Sequence, residues 1–284
     1  MYQNSSDMGY RGRRIVELLE DLAPNTIDTF RQIHRDNYDR SAEKIVPLFA
    51  DLDFGDDNYN NARDWLTEWD YQMDARSGQA ALYGIFWDNF ERNIFDDQIA
   101  DFIEDYGIRF HPFVIVSLTS DPNNDWWDNA QTEDIETMDD ILIQSLQNAY
   151  DEAVERMGAD RVEWRWGTIH LAEFVNNPLG LSGIEQLEDI VNRHTSIGGS
   201  HVTVNAARSN ENYIAESGVS ERVIYDVSDW DNSLSIQTTG QSGHPYSQDY
   251  DSMIEAWANF QYKPMLWSRD RVQVASINKL ILTP

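Results

Sequence analysis

Ser242 lies between two glycines, in Thr239-Gly240-Gln241-Ser242-Gly243-His244-Pro245. A hydroxyl in a glycine-rich turn is a candidate nucleophile. This string is not the Gly-x-Ser-x-Gly elbow, however, and no general base stands at a recognisable spacing. Glycine opens backbone conformations closed to other residues, and Pro245 fixes its own φ. The stretch therefore reads as a specially shaped loop that defines the fold, in which Gly243 tolerates no β-branched replacement. The six histidines, His34, His111, His170, His194, His201 and His244, show neither HExxH nor HxH spacing. Ser200 and His201 are adjacent and make no triad, so each histidine reads as structural.

Carboxylates are too numerous for spacing to select a pair that could flank a glycosidic bond. Asp53 to Asp57 lacks the ligand pattern, central glycine and closing glutamate of a calcium loop, so no metal site is expected here. Arg222 and Asp226, four apart on an expected strand, share a face and read as a structural ion pair. Arg11, Arg13 and Arg14 crowd the first turn of an expected helix, where the helix dipole disfavours cations. Something other than helix stability places them there; the alternative is a surface pairing of Arg11 with Asp7 or Glu17, worth under about 1 kcal/mol.

The elements that must position these groups fall into two textures. Helical spacing runs through Arg14–Leu22, from a Thr26 N-cap into Asp28 and Phe30, and through Ala42 to Phe49 with a break at Pro47. Asp51–Asn61 reads as a loop. Helices resume over Ala62–Trp69 and Gln79–Phe95, the second with an aromatic stripe of Phe86, Trp87, Phe90 and Phe95 that reads as core. Val114–Val116 is ambiguous. Thr132 with Glu136 opens a long helix that stops at Gly158. Beyond it, short alternating runs predict strands at Val162–Trp166, His201–Asn205, Arg222–Val227 and Ser233–Gln237. One helix is expected over Ile184–Val191 and another over Asp251–Phe260. Residues 1–157 thus read as a mainly helical region and 158–284 as β-rich.

The chain has 284 residues, 41% of them hydrophobic, enough to bury a sizeable core, and no cysteine. Its 21 basic residues face 50 acidic ones, for a net charge of −29. That field repels phosphate backbones and anionic lipid, so nucleic acid is excluded as a partner. Lysine occurs only at Lys44, Lys263 and Lys279. An acidic, lysine-poor surface predicts adaptation to salt. No apolar run is long enough for a membrane span, and the first residues lack a signal-peptide pattern.

Several strings, in order, resemble the penicillin acylase (penicillin amidase) family of N-terminal-nucleophile hydrolases. They are Gly9-Tyr10-Arg11-Gly12-Arg13-Arg14-Ile15, Trp126-Trp127-Asp128, Trp164-Arg165-Trp166-Gly167 with His170, Asn177-Pro178-Leu179-Gly180, and Gly198-Gly199 with Thr203-Val204-Asn205. The last block runs from Arg222 through Asp226, Asp229-Trp230-Asp231, Gly240-Gln241-Ser242-Gly243 and Trp257 to Tyr262 and Pro264. The resemblance covers essentially the whole chain and matches the C-terminal part of the family's β-subunit region.

The resemblance implies an α+β chain, an incomplete αββα sandwich with a helical first half and an antiparallel β-rich second half. It implies hydrolysis of a linear acyl amide, of the β-lactam side-chain or acyl-homoserine lactone class. Family enzymes use an N-terminal serine whose own α-amino group takes the hydroxyl proton, with an asparagine in the oxyanion hole. Both lie upstream of the Gly-Tyr-Arg element, outside this chain, as do the family's calcium ligands, so no cofactor is expected in these residues. Arg11 is the one family active-site residue that transfers by position. The implied partners are the α-subunit and the N-terminal β-subunit segments of the same precursor, with a small acyl-amide substrate. The implied location is periplasmic or secreted, and the chain alone is expected to be inactive. On this reading Arg11→Ala slows turnover at unchanged melting temperature. The rival class is a non-catalytic acidic binding or scaffold protein.

Overall fold

A computed structural model of the chain describes residues 9–106 and 110–282, with the backbone alone for 100–106 and 216. In chain order the helices of the first half are α1 (Tyr10–Asp21), α2 (Ile27–His34), α3 (Arg40–Ile45), α4 (Asp57–Thr67), α5 (Gly78–Tyr106), α6 (Pro112–Leu118) and α7 (Met138–Met157). There follow α8 (Trp166–Ile169), β1 (Leu171–Phe174), α9 (Glu185–Val191), β2 (Arg193–Ser196), β3 (Ala207–Ser209), β4 (Ala215–Gly218), β5 (Glu221–Ile224) and β6 (Leu234–Gln237). The chain closes with α10 (Ile254–Ala258), β7 (Lys263–Pro264) and α11 (Arg269–Ala275).

Local chemistry sets the helix ends. Thr26 caps α2 in a reciprocal box with Thr29, and Asp39 caps α3 through the amides of Ser41 and Ala42. Pro47 cannot donate to the ladder, and the chain passes there from α3 into a 3-10 turn over Val46–Phe49. Asp56 starts α4 inside what the sequence reads as a loop. Thr137, not Thr132, caps α7, in a box with Asp140. Thr132 instead donates its hydroxyl to Glu136 within the preceding loop. α7 stops at Gly158, whose φ of 87° suits glycine alone. Val114–Val116 is helical, within α6.

Two compact units make up the chain, each assembled from separated segments. Unit 1 is Met1–Glu20, Asp36–Glu173 and Ser196–Gly218. Its core lies between α5 and α7, where Phe86, Phe90, Leu142, Leu146 and Ala149 are fully buried. Phe49 meets Phe86 edge to face with centroids 5.0 Å apart, the arrangement that ring quadrupoles favour. Gly84 lets α8 approach α5: a Cβ there would stand 2.6 Å from the Trp166 ring. At the end of unit 1, β3 pairs antiparallel with β4, and β4 pairs parallel with β1. The parallel pair departs from the expected all-antiparallel second half; the long stretch between β1 and β4 is ample for the crossover such a pair requires. Val162–Trp166 and His201–Asn205 are not strands. The first forms a 3-10 turn capped by Asp160 and the start of α8; the second is a bent loop.

Unit 2 is Asp21–Arg35, Phe174–Thr195 and Val219–Pro284. It holds the antiparallel sheet β5-β6-β7, with α2 against β5 and α10 against β6. The expected Arg222–Asp226 pairing does not form, because β5 ends at Ile224 and the chain turns. Asp226 accepts bonds from the amide and hydroxyl of Ser228 and the amide of Asp229. Arg222 is buried, donates Nη1 to Trp257 O at 2.8 Å, and lies over the Trp257 and Phe260 rings at 5.0 and 4.4 Å. Burial pushes its pKa down to about 10.

In the Gly240–Gly243 loop the constraint sits at one glycine only. A Cβ on Gly240 would overlap the Asp249 carbonyl, whereas nothing lies within 4 Å of one on Gly243. The loop is pinned by Ser242 N donating to Asp249 O at 3.0 Å.

Candidate functional site

Arg11 sits in the first turn of α1, and among the described residues it pairs with no carboxylate. Glu17 is taken by Arg40, and Asp7 lies outside the described residues. Arg11 donates Nη2 to His201 O at 2.6 Å and Nε to Thr203 O at 3.1 Å. Arg14, one turn on, forks onto both Asp36 oxygens at 3.1 and 2.8 Å and lies 4.6 Å from the Tyr38 ring centre. Arg11 and Arg14 are therefore held by tertiary partners, which offset the unfavourable dipole.

The loop that Arg11 grips is built by the Gly198-Gly199 and Thr203-Val204-Asn205 strings. Gly199 has φ +94°, and a Cβ there would overlap Asn205 O. Its amide donates to Met73 O at 2.7 Å, and its carbonyl accepts Trp166 Nε1 at 3.0 Å. Thr203 Oγ1 accepts the Ser200 amide at 2.9 Å and donates to Asn205 O at 2.7 Å. Asn205 Nδ2 donates to Asn37 Oδ1 at 3.0 Å. The loop is thus closed on itself and tied to three other segments of unit 1.

Ser200 connects this loop to a buried carboxylate. Its Oγ donates to Asp39 Oδ2 at 2.7 Å, while Asp39 Oδ1 accepts from Ser41 N, Ser41 Oγ and Ala42 N. Ser41 Oγ and Tyr83 Oη lie 3.1 Å apart in a further hydrogen bond. Burial pushes Asp39 upward from the ordinary carboxylate range, and the Ser41 and Ser200 hydroxyl bonds oppose the shift. Burial also raises Tyr83 well above the usual phenol value. Ser200 thus serves Asp39 and not the neighbouring His201 ring.

These groups border a cavity of about 430 Å³. One face of α5 supplies Tyr83, Gly84, Trp87, Asp88 and Glu91, positions that helical spacing stacks in line. Phe110 and His111 face it from the start of α6, and Trp166, Ser200, His201 and Arg208 complete much of the wall. The Phe110 amide donates to Glu91 Oε1 at 3.1 Å, fixing that segment to α5. The His111 and His201 rings stand 6.4 Å apart. Phe86, Phe90 and Phe95 are core, and half-buried Trp87 packs against that core and also lines the cavity. The signal for this face is the run at 83, 84, 87, 88 and 91, polar and aromatic together.

Two of the remaining histidines make buried or part-buried tertiary contacts. His170 is fully buried, stacks on Trp166 at 4.4 Å, and donates Nδ1 to Tyr213 O at 2.8 Å. Its Nε2 has no partner among the described residues, and burial pushes its pKa down to about 4. In unit 2, His34 Nδ1 shares a 2.8 Å hydrogen bond with Tyr262 Oη. His194 and His244 are exposed. Ser242 Oγ accepts the His244 amide in a local turn and meets no base. No group of three or more His, Asp or Glu side chains among the described residues could hold a metal ion. No described helix is long and apolar enough to cross a membrane.

Residues 1–274 match the family model described as penicillin amidase, and the chain belongs to that family. An acyl-homoserine lactone acylase, QuiP, of Pseudomonas syringae pv. tomato is 30% identical over 79% of this chain and 29% of its own length. The penicillin acylase 2 proenzyme of Pseudomonas sp. (strain SE83) is 27% identical over 97% of this chain and 35% of its own length. The chain spans about a quarter to a third of the length of the curated relatives it matches. Among solved structures, the thermostable penicillin G acylase of Alcaligenes faecalis superposes with a TM-score of 0.54, at 13% identity. That match covers all of this chain and 54% of the other. The fold is therefore of the penicillin acylase kind, a mixture of helices and small sheets.

Proposed function

We propose that this chain is the C-terminal portion of a penicillin-acylase-like amidohydrolase that cleaves a linear acyl amide, of the β-lactam side-chain or acyl-homoserine lactone class. The observation that carries the reading is the family match over residues 1–274; in this proposal Arg11 is the family's active-site arginine. In this proposal the nucleophile is an N-terminal serine, with its own α-amino group as base, on residues outside these 284. The oxyanion asparagine comes from the same outside segment. The partners are then the α-subunit and the N-terminal β-subunit segments of one precursor, in the periplasm or outside the cell.

Arg11 acts in this scheme as a positioning residue. Both of its described bonds go to backbone carbonyls of the 201–203 loop, so it sets where that loop stands. A displacement of about 1 Å in a supporting wall can cost about 10²-fold in rate.

The test is to co-express the chain with a serine-first segment from its own precursor. Acyl release from an N-acyl homoserine lactone and from a chromogenic phenylacetyl amide is then followed. Hydrolysis should require both pieces, and Arg11→Ala should lower kcat/KM with Arg11→Lys in between. Hydrolysis by the 284 residues alone, abolished by a substitution within them, would overturn the assignment of the nucleophile. No hydrolysis from the folded combination would overturn the activity.

A further inference from the structure

Beyond β7 the chain of unit 2 leaves the sheet as an arm. Residues 269–279, α11 among them, are all exposed, and none of the seven residues of α11 is buried. Helices shorter than about 12–15 residues are marginal in water, and tertiary packing supplies most helical stability in proteins. The arm nonetheless holds large apolar side chains in solvent: Trp267 is 73% exposed, Val274 89% and Ile277 95%. Its root is fastened within unit 2. Asp231 accepts the amides of Trp267 at 2.7 Å and Ser268 at 2.9 Å, and the Trp230 and Trp267 ring centres stand 5.8 Å apart.

The arm also reverses the charge of the protein. Lys263, Arg269, Arg271 and Lys279 stand there against one carboxylate, Asp270, in a chain of 21 basic and 50 acidic residues. Arg271 is drawn to Asp231, while Arg269 and Lys279 are exposed. A basic, apolar strip on an acidic body fits an apolar face edged with carboxylates.

Three occupants can be weighed. An anionic membrane would draw the arm and repel the rest of a chain of net charge −29. A second copy would set one such field against another. A segment of the same precursor escapes the cost of bringing two molecules together, because its docking is intramolecular while the precursor is whole. There is chain enough for it, since the curated relatives carry most of their length outside the matched part.

We propose that the arm at 267–279 is the docking strip for a segment of the same precursor outside these 284 residues, one whose face is apolar and edged with carboxylates. The inference rests on the proposed function in taking such segments as partners, and it adds where on this chain they bind.

The test pairs the full 284-residue chain with the remaining segments of its own precursor. Association is read by co-purification and by calorimetry at several salt concentrations, and melting is followed for every variant. Val274→Asp with Ile277→Asp should weaken association at least about tenfold. Arg269→Glu with Lys279→Glu should weaken it and flatten its salt dependence. Ile135→Asp, at an apolar residue of unit 1 that is 83% exposed, should leave it unchanged. All five positions are exposed, so each variant should melt with the unsubstituted chain. Full association of both arm variants, in a pair that otherwise binds and hydrolyses, would overturn this proposal and leave the proposed function standing. An equal loss in Ile135→Asp would do the same. No association of the unsubstituted pair would overturn both. Self-association of the 284-residue chain, abolished by Val274→Asp with Ile277→Asp, would make a second copy the occupant and overturn the proposal as well.

Discussion

Arg11 donates to the carbonyl oxygens of His201 and Thr203 across 190 and 192 residues of chain. A guanidinium with two acceptors on one loop fixes both the distance and the orientation of that loop, which an ammonium could not do with a single contact. It also gives Arg11 a stabilising role that the surface-pair alternative lacks. Hydrogen bonds to charged groups are worth about 1.5–3 kcal/mol where partly buried.

Arg11→Ala is therefore expected to lower the unfolding free energy by about 1–3 kcal/mol, unlike the unchanged melting temperature that the resemblance alone implies. Arg11→Lys should recover part of it. Urea denaturation of the two variants checks this, and a midpoint equal to the unsubstituted protein's for Arg11→Ala would refute it.

His170 predicts a pH dependence. Burial lowers its folded-state pKa from 6.5 to about 4, so the unfolded chain takes up the proton first as pH falls. The stabilisation is complete above pH ~6.5, is lost progressively down to pH ~4, and amounts to roughly 3 kcal/mol in full. His34 is lowered in the same direction by burial and by Arg222. Comparing pH 7.5 with pH 5, the unsubstituted protein should lose more stability than His170→Phe, a replacement that retains a ring against Trp166. Parallel losses in the two proteins would remove His170 as the cause.

Two glycines of one loop should respond differently. Gly240→Ala drives a Cβ into the Asp249 backbone and is expected to cost about 1–3 kcal/mol. Gly243→Ala adds a methyl in open space and should stay within about 0.5 kcal/mol of neutral. Chemical denaturation of both variants side by side checks the contrast, and equal midpoints would contradict it.

Gly84→Ala tests how α8 is seated. The added Cβ would stand 2.6 Å from the Trp166 ring, which is held by its bond to Gly199 O and its stack on His170. A loss of about 1–3 kcal/mol is expected, together with a changed tryptophan emission. Unaltered stability and emission would show that the indole moves aside freely.

Salt should raise the melting temperature. With a net charge of −29, self-repulsion opposes the compact state, and the screening length shrinks from about 10 Å at 0.1 M to about 3 Å at 1 M. A melting temperature that falls on adding NaCl would refute salt adaptation.

Much of the local structure was legible because its causes are local. Thr26 caps α2, Pro47 ends α3 and Gly158 ends α7, each through its own backbone and side-chain geometry. Family membership was legible for a related reason: glycines, tryptophans and asparagines at close approaches stand in fixed order along the chain. What failed depended on distant partners. The alternation in His201–Asn205 looks like a strand, but Thr203 Oγ1 and Gly199 close that stretch into a loop. Arg222 and Asp226 share a face only if the strand runs on, and it ends at Ile224.

The sequence by itself determined the helix ends at Thr26, Pro47 and Gly158, the acidic field and the family, since propensity, capping, charge and the order of motifs need no fold to be read. Only the tertiary structure decided where Arg11 places its guanidinium, that Ser200 binds Asp39, and that Trp87, Asp88 and Glu91 border a cavity. Those outcomes join residues up to 192 positions apart. Hydrogen-bond direction and burial act through space, and no spacing along the chain encodes which distant carbonyl a side chain will meet.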